Sequence, residues 1–279
     1  MRLSVSMWSV VQSVREGKLD LPGFIDFAAR QDVEGIELLD YFWTDAQAQI
    51  SPIKQQIADA GLTLAVYSIG NDFFEPDPTL RAEELTDLKR GVDVANRLDV
   101  NLMRVFSGNA KPGYNLEDGL GWIIDNLGAG AAYAEQHGVT LALENHGLMA
   151  GRSDQVRQII ETVNSPALRA NLDTGNFLLV GQNPTDAARY LADLVALVHL
   201  KDFRLATAAD TLHVYTGLDG VGYTGTVVGG GQVDLAAIMA ILAKAGYDGW
   251  LSLEYEGGQD PLTIGVPQSL AAARQLLPT

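Results

Sequence analysis

Short apolar runs, β-branched or strictly alternating, recur along the whole chain, and between them apolar positions fall three and four apart, the repeat of a helix with one buried face. The runs predict eight strands, near 3 to 8, 35 to 39, 63 to 69, 101 to 106, 140 to 145, 168 to 173, 195 to 201 and 249 to 255. Helical periodicity fills the gaps, near 20 to 31, 46 to 60, 79 to 98, 116 to 137, 153 to 163, 184 to 194, 234 to 245 and 261 to 277. Ser153-Asp154, Asn183-Pro184-Thr185, Asp234 and Asp260-Pro261 place an oxygen acceptor or a proline where a helix starts. Gly61, Gly138 and Gly246 stand where helices end, at positions that favour a left-handed turn.

Such alternation requires parallel strands joined by right-handed crossovers. The economical solution is an α/β fold, a (β/α)8 TIM barrel occupying residues 1 to 279 as a single domain, with a doubly wound open sheet as the alternative. One stretch breaks the rhythm. Residues 203 to 233 form a Gly-rich connection after strand seven, much longer than the usual few residues, and read as a flexible lid. Within it Gly220, Gly222 and Gly225 match the dinucleotide spacing, but no helical pattern follows them directly, so nucleotide binding is not expected.

Alternation also fixes which side chains share a face of a strand. Glu144 and His146 oppose Leu141 and Leu143; Asp173 opposes Leu172; His199 and Lys201 oppose Val198 and Leu200; Ser252, Glu254 and Glu256 oppose Leu251, Leu253 and Tyr255. Glu144, Asp173, His199 and Glu254 therefore point inward near the carboxyl ends of consecutive strands, where barrel active sites are built. Three carboxylates and an imidazole are hard ligands for one divalent metal, and burying three acids together without a cation would be costly.

Composition narrows the function classes. A formal net charge of -16 argues against nucleic acid and against an anionic membrane surface, both of which are recognised through clustered Lys and Arg. The absence of Cys excludes disulfides, thiolate metal sites and Cys nucleophiles. The apolar runs are too short to span a bilayer, and residues 1 to 8 alternate like a strand rather than a leader, so a cytoplasmic protein is expected.

The runs Ala-Leu-Glu-Asn-His, Asn-Leu-Asp-Thr-Gly-Asn, Val-His-Leu-Lys-Asp and Gly-Trp-Leu-Ser-Leu-Glu-Tyr resemble the sugar isomerase and epimerase superfamily of xylose isomerase-like barrels, in the same strand order and over nearly the whole chain. That resemblance implies that Glu144, Asp173, His199 and Glu254 hold one divalent ion, Mn2+ or Mg2+ with Co2+, Zn2+ or Fe2+ as alternatives. It also implies that Glu144 and Glu254 double as acid and base. A metal-polarised carbonyl beside a C–H that a carboxylate deprotonates gives an enediolate, and return of the proton gives epimerisation or aldose–ketose isomerisation.

Expected substrate contacts are His146, Asn176, Lys201, Arg204, Trp8, Asn71 and Arg104, with Phe73 and Phe106 as further walls and Glu37 near another strand end. Lys201 and Asp202 are expected to steady His199. Ketose 3-epimerases usually carry a His, a Glu and an Arg where this chain has Asn176, Ala150 and Leu205, with Arg204 one step from the last. The partner is thus a small sugar or sugar derivative, with a homo-oligomer left open. The alternative reactions are a metal-dependent lyase or dehydratase acting on a keto-sugar, keto-glycoside or inosose, and a non-catalytic sugar-binding barrel.

Overall fold

A computed structural model describes residues 1–210 and 213–277. Its eight parallel barrel strands are β1 (Arg2–Ser6), β2 (Gly35–Leu39), β3 (Thr63–Ser68), β4 (Leu102–Val105), β5 (Thr140–Glu144), β6 (Leu168–Asp173), β7 (Val195–Leu200) and β11 (Trp250–Leu253). They close in the order β1-β11-β7-β6-β5-β4-β3-β2, so the open-sheet alternative is set aside. The main helices run over Leu21–Ala29, Ala46–Asp59, Pro78–Arg97, Leu116–Gln136, Ser153–Val163, Pro184–Leu191, Leu235–Lys244 and Val266–Leu276. The side chains of Asp20, Asp45, Asp77, Asn115, Asn183 and Asp234 accept from first-turn N–H groups, which is why these helices begin where they do.

Register divides the barrel interior into layers. At the bottom Leu102, Ala142, Leu197 and Trp250 form an apolar plug with Ala65 and Val66. Trp250 pairs with Leu197, so two residues further on Ser252 pairs with His199, and the layer above the plug becomes polar. Gly35 is required beside this plug: a Cβ there would meet the Trp250 ring and the Thr63 carbonyl at 2.9 Å each. The larger apolar core lies outside the barrel, where Leu141, Leu143, Leu172, Val198, Leu200, Leu251 and Leu253 pack towards the helices.

Two expectations are corrected. The first strand stops at Ser6, because the Ser6 hydroxyl accepts from the Trp8 N–H (3.3 Å) and starts a 3-10 turn over Met7–Val10. Trp8 is therefore a turn residue. The long connection is not a bare loop: β8 (Asp202–Leu205), β9 (Val214–Thr216) and β10 (Gly222–Thr226) form an antiparallel sheet in the order β8-β10-β9. Thr211 and Leu212 of this connection lie outside the described residues. Its strands escape pattern reading because Gly-Tyr-Thr-Gly-Thr lacks the alternation a half-buried strand shows. Gly225 belongs to a strand packed on the Glu256 backbone, where a Cβ would come within 2.4 Å of the carbonyl oxygen. A short helix over Asn176–Leu179, α7, directly after β6, is also absent from the sequence reading.

Candidate metal and substrate site

Glu144 and Asp173 are the last residues of β5 and β6, His199 lies in β7 and Glu254 directly follows β11. One ligand atom from each lies within 4.8 Å of the others, and all four residues are buried. Each side chain is braced. Asp173 Oδ1 accepts from the N–H groups of Gly175 and Asn176, both at 2.9 Å. Asn145 clamps the Asp173 backbone, accepting its N–H at 2.7 Å and donating to its carbonyl at 3.0 Å. Glu144 receives Asn171 Nδ2 at 3.2 Å on Oε2 and Asn176 Nδ2 at 3.3 Å on Oε1.

Below the cluster, Glu37 Oε2 lies 3.1 Å from His199 Nε2. The hydroxyls of Ser252 and Ser68 donate to the two Glu37 oxygens at 2.6 Å each. A carboxylate that accepts from Nε2–H orients the ring and leaves Nδ1 facing the other ligands. Nδ1 lies 3.3 Å from Glu144 Oε2 and 3.7 Å from Glu254 Oε2.

These residues fit a divalent metal. His199 Nδ1 and Asp173 Oδ2 are buried polar atoms without a hydrogen-bond partner, even though Lys201 Nζ is 3.0 Å from that oxygen, so its approach is misdirected for a hydrogen bond. Buried polar atoms left without partners are rare, and these two belong to residues whose ligand atoms gather within 4.8 Å of one another. In the metal-free protein the charge is offset by protons and ammonium. Burial disfavours charge on His199, but Glu37, Glu254 and Glu144 outweigh it and hold the imidazole's pKa well above its usual value. Burial likewise acts against the Lys201 ammonium and is outweighed by Asp173, Glu254 and Glu256.

The two glutamates diverge. Burial pushes Glu144 up, yet the His199 charge and the Arg104 guanidinium hold it well below the carboxylate range. For Glu254 burial prevails: with Glu144 and Glu256 adding repulsion, Lys201 and His199 offset it only in part, and its pKa is pushed up to about 7. One acid stays ionised and the other holds a proton near neutrality.

The cluster opens into a chamber of about 520 Å3 whose walls include Trp8, Arg104, Phe106, His146, Lys201 and Glu256. Lys201 Nζ reaches Glu254 at 2.6 Å and Glu256 at 3.3 Å. Trp8 Nε1–H donates to Glu256 at 2.7 Å, and the His146 ring packs at a tilt against Phe106, with centres 4.7 Å apart. Arg104 lies 4.0 Å over that same ring, places Nε 3.3 Å from Glu144 and donates through Nη1 to the Ile69 carbonyl at 2.6 Å.

Other candidates lie elsewhere. Asn71 exchanges hydrogen bonds with the Phe106 backbone at 2.7 and 2.8 Å, tying the ends of β3 and β4 together away from the chamber wall. Phe73 is core. Arg204 is not brought to the cluster: it forks onto Asp210 at 2.6 and 2.9 Å and faces a different cavity, because it belongs to β8, which has left the barrel. Asp202 does not steady His199. Its carboxylate accepts from the N–H groups of Gly229, Gly231 and Val233 at 3.0, 2.9 and 3.2 Å, pinning the return of the insertion, while Glu37 takes the place expected for it. Sequence reasoning gave no role to Glu256, Asn145 or Asn171. Alternation placed Glu256 inward beside Glu254, which was the available signal; the pairing across β5 and β6 that gives the asparagines their work left none.

A family model described as xylose isomerase-like TIM barrel matches residues 25–277. Among curated relatives, a protein of Streptomyces coelicolor named for hydroxypyruvate isomerase activity is 28% identical over 250 residues, 81% of this chain and 83% of that protein. A 3-oxo-isoapionate decarboxylase of Pectobacterium atrosepticum is 25% identical over 79% of this chain and 72% of its own. An inosose dehydratase of Geobacillus kaustophilus is 29% identical but is aligned over only 50% of this chain and 46% of that one. Solved structures share the fold at lower identity. The IolI protein with a bound zinc atom gives a TM-score of 0.80 at 15% identity, covering 99% of this chain and 96% of that one. D-psicose 3-epimerase of Clostridium cellulolyticum H10 gives 0.78 at 17%, covering both chains completely.

Proposed function

We propose that this chain, which belongs to the xylose isomerase-like TIM barrel family, is a divalent-metal-dependent isomerase or epimerase of a sugar or sugar derivative. The observation that carries the reading is the Glu144 and Glu254 pair, whose Oε2 atoms lie 3.3 and 3.7 Å from the same His199 nitrogen in one buried cluster of four ligands. Glu144, Asp173, His199 and Glu254 would hold the metal, which when bound supplies Lewis acidity to a substrate carbonyl and its neighbouring oxygen.

The protein's own groups account for the proton. Glu144, with the Arg104 guanidinium 3.3 Å away, accepts it from the carbon beside the carbonyl. Glu254, with the Lys201 ammonium 2.6 Å away as a proton source, returns a proton to the same carbon from its other face or to the carbonyl carbon. The first outcome inverts a centre and the second exchanges aldose for ketose. Lys201, beside Glu254 and Glu256, donates hydrogen bonds to negative charge developing on the substrate. Asn176 and Asn171 keep Glu144 from swinging away. Trp8 and Phe106 wall the chamber against water.

A second reading is favoured by the dehydratase and decarboxylase relatives: elimination of water after the same proton removal, or loss of carbon dioxide from a 3-oxo acid to leave an enolate that then takes up a proton. One experiment separates the two: keto-sugars with Mn2+ in D2O followed by NMR. Isomerase or epimerase chemistry incorporates deuterium at the carbon beside the carbonyl with the carbon skeleton and oxygen count intact. Release of water or carbon dioxide selects the second reading, and absence of both exchange and turnover across keto-pentoses, keto-hexoses, inososes and 3-oxo sugar acids refutes both.

A further inference from the structure

Next to the chamber of the metal cluster lies a second cavity of about 370 Å3, and His146, Lys201 and Glu256 line both. The far walls differ in kind. Leu148, Leu179, Val180, Phe203, Tyr215 and Leu218 present aliphatic and aromatic carbon, interrupted by Thr216 and by Asn176, whose amide already donates to Glu144 and the Asn145 carbonyl. Phe203 is wholly buried and its ring centre lies 5.4 Å from that of Tyr215. At the rim Leu148 is 42% exposed and Leu218 is 65% exposed. The rim is tied down: the Leu218 N–H, in the turn between β9 and β10, donates to the Leu179 carbonyl at the end of α7 at 2.9 Å. The inserted sheet and α7, the two elements the hydrophobic pattern did not foretell, thus build this wall together.

We propose that this cavity is a subsite for an apolar substituent, and that the substrate is a sugar that keeps a carbonyl in its ring and carries an aryl or comparably apolar group through a glycosidic bond, rather than an unsubstituted sugar. The inference rests on the sugar-directed function proposed above. A free sugar's hydroxyls find few partners on the six-residue carbon face and would surrender most of their bonds to water against it. An aromatic or aliphatic group gains by the same transfer. Size agrees. A hexose has twelve heavy atoms, which even at liquid water's ~30 Å3 apiece need at most about 360 Å3. The metal chamber at about 520 Å3 already exceeds that, so the additional 370 Å3 is not required by the sugar. The shared wall fixes the division of the ligand: the bond joining sugar to aglycone passes over Lys201 and Glu256, with Lys201 2.6 Å from Glu254.

The test is calorimetric binding of methyl and phenyl glycosides of D-glucose and D-xylose, both anomers, to the full-length protein loaded with Mn2+. For at least one sugar the phenyl glycoside is expected to bind ten times or more tightly than its methyl counterpart. In a Leu148→Gln, Leu218→Gln double variant, altered at two exposed rim positions, that ratio falls to near one. Equal affinities in the unaltered protein, or a ratio the double variant leaves intact, overturns the subsite. So does a dimer whose hydrogen exchange shows Leu218 covered, since a second copy then fills the cavity. If free keto-sugars are turned over but the phenyl group brings no gain, this inference falls and the function stands. If neither glycosides nor keto-sugars bind, both fall.

Discussion

Glu37 and His199 stand 162 residues apart in sequence and 3.1 Å apart in the barrel, where the Glu37 carboxylate faces the imidazole nitrogen directed away from the proposed metal. Neither is exposed to solvent. With Ser68 and Ser252 also donating to it, Glu37 is held through both carboxylate oxygens. We expect Glu37→Gln to weaken Mn2+ binding by roughly 10- to 100-fold, the usual effect of losing a group that orients a ligating histidine. Titration calorimetry checks this, and affinity equal to the unaltered protein's would show that the ring is held by the barrel alone.

Metal uptake is expected to depend on pH with a definite sign. His199 must shed its proton to ligate, and below about pH 7 so must Glu254, so affinity falls as pH falls and binding releases protons. Calorimetry in buffers of different ionisation enthalpy counts them. Stability of the metal-free protein runs the other way. Both groups have raised pKa values, so the folded chain holds protons that the unfolded chain, with values near 6.5 and 4.5, has already released. That stabilisation is lost as pH rises through about 7 for Glu254 and higher for His199. Thermal melts of chelator-treated protein from pH 5 to 9 should show it.

Glu144→Gln and Glu254→Gln should each lower turnover by roughly 10²- to 10⁴-fold, the range for losing a positioned acid or base. The two should differ in half-reactions. If Glu144 takes the proton, Glu254→Gln retains some solvent deuterium exchange into the substrate while Glu144→Gln retains none. Wild-type turnover by both purified variants would remove the proton-transfer assignment.

The apolar plug sets stability without touching the cluster. Trp250→Ala should cost about 3–5 kcal/mol, the range for emptying a large aromatic from a core. The variant also loses the Arg2 guanidinium stacked 3.9 Å over that ring. Urea unfolding measures the loss. A change below about 1 kcal/mol would mean that the barrel floor is held by the surrounding strands, as volume-tolerant cores are.

The sequence by itself determined the alternation of elements, because burial on one or both faces leaves a periodic trace in every strand and helix that contributes to the core. It determined that Glu144, Asp173, His199 and Glu254 point inward near strand ends, because alternation is a local property of the chain. Helix starts were legible wherever a side-chain oxygen met its own first turn, as at Asn183 and Asp234. What only the tertiary structure decided are relations between distant strands. Glu37 became the partner of His199 through the closure of β2, β1, β11 and β7 around the axis. Asp202 went to the insertion because β8 departs from the barrel just beyond Lys201. The three-stranded sheet, and the apolar cavity it walls, left no periodic trace because strands of three to five residues without strict alternation of buried and exposed positions are too short to show one. Local physics thus fixed where each side chain points, and the closure of the barrel chose what it meets there.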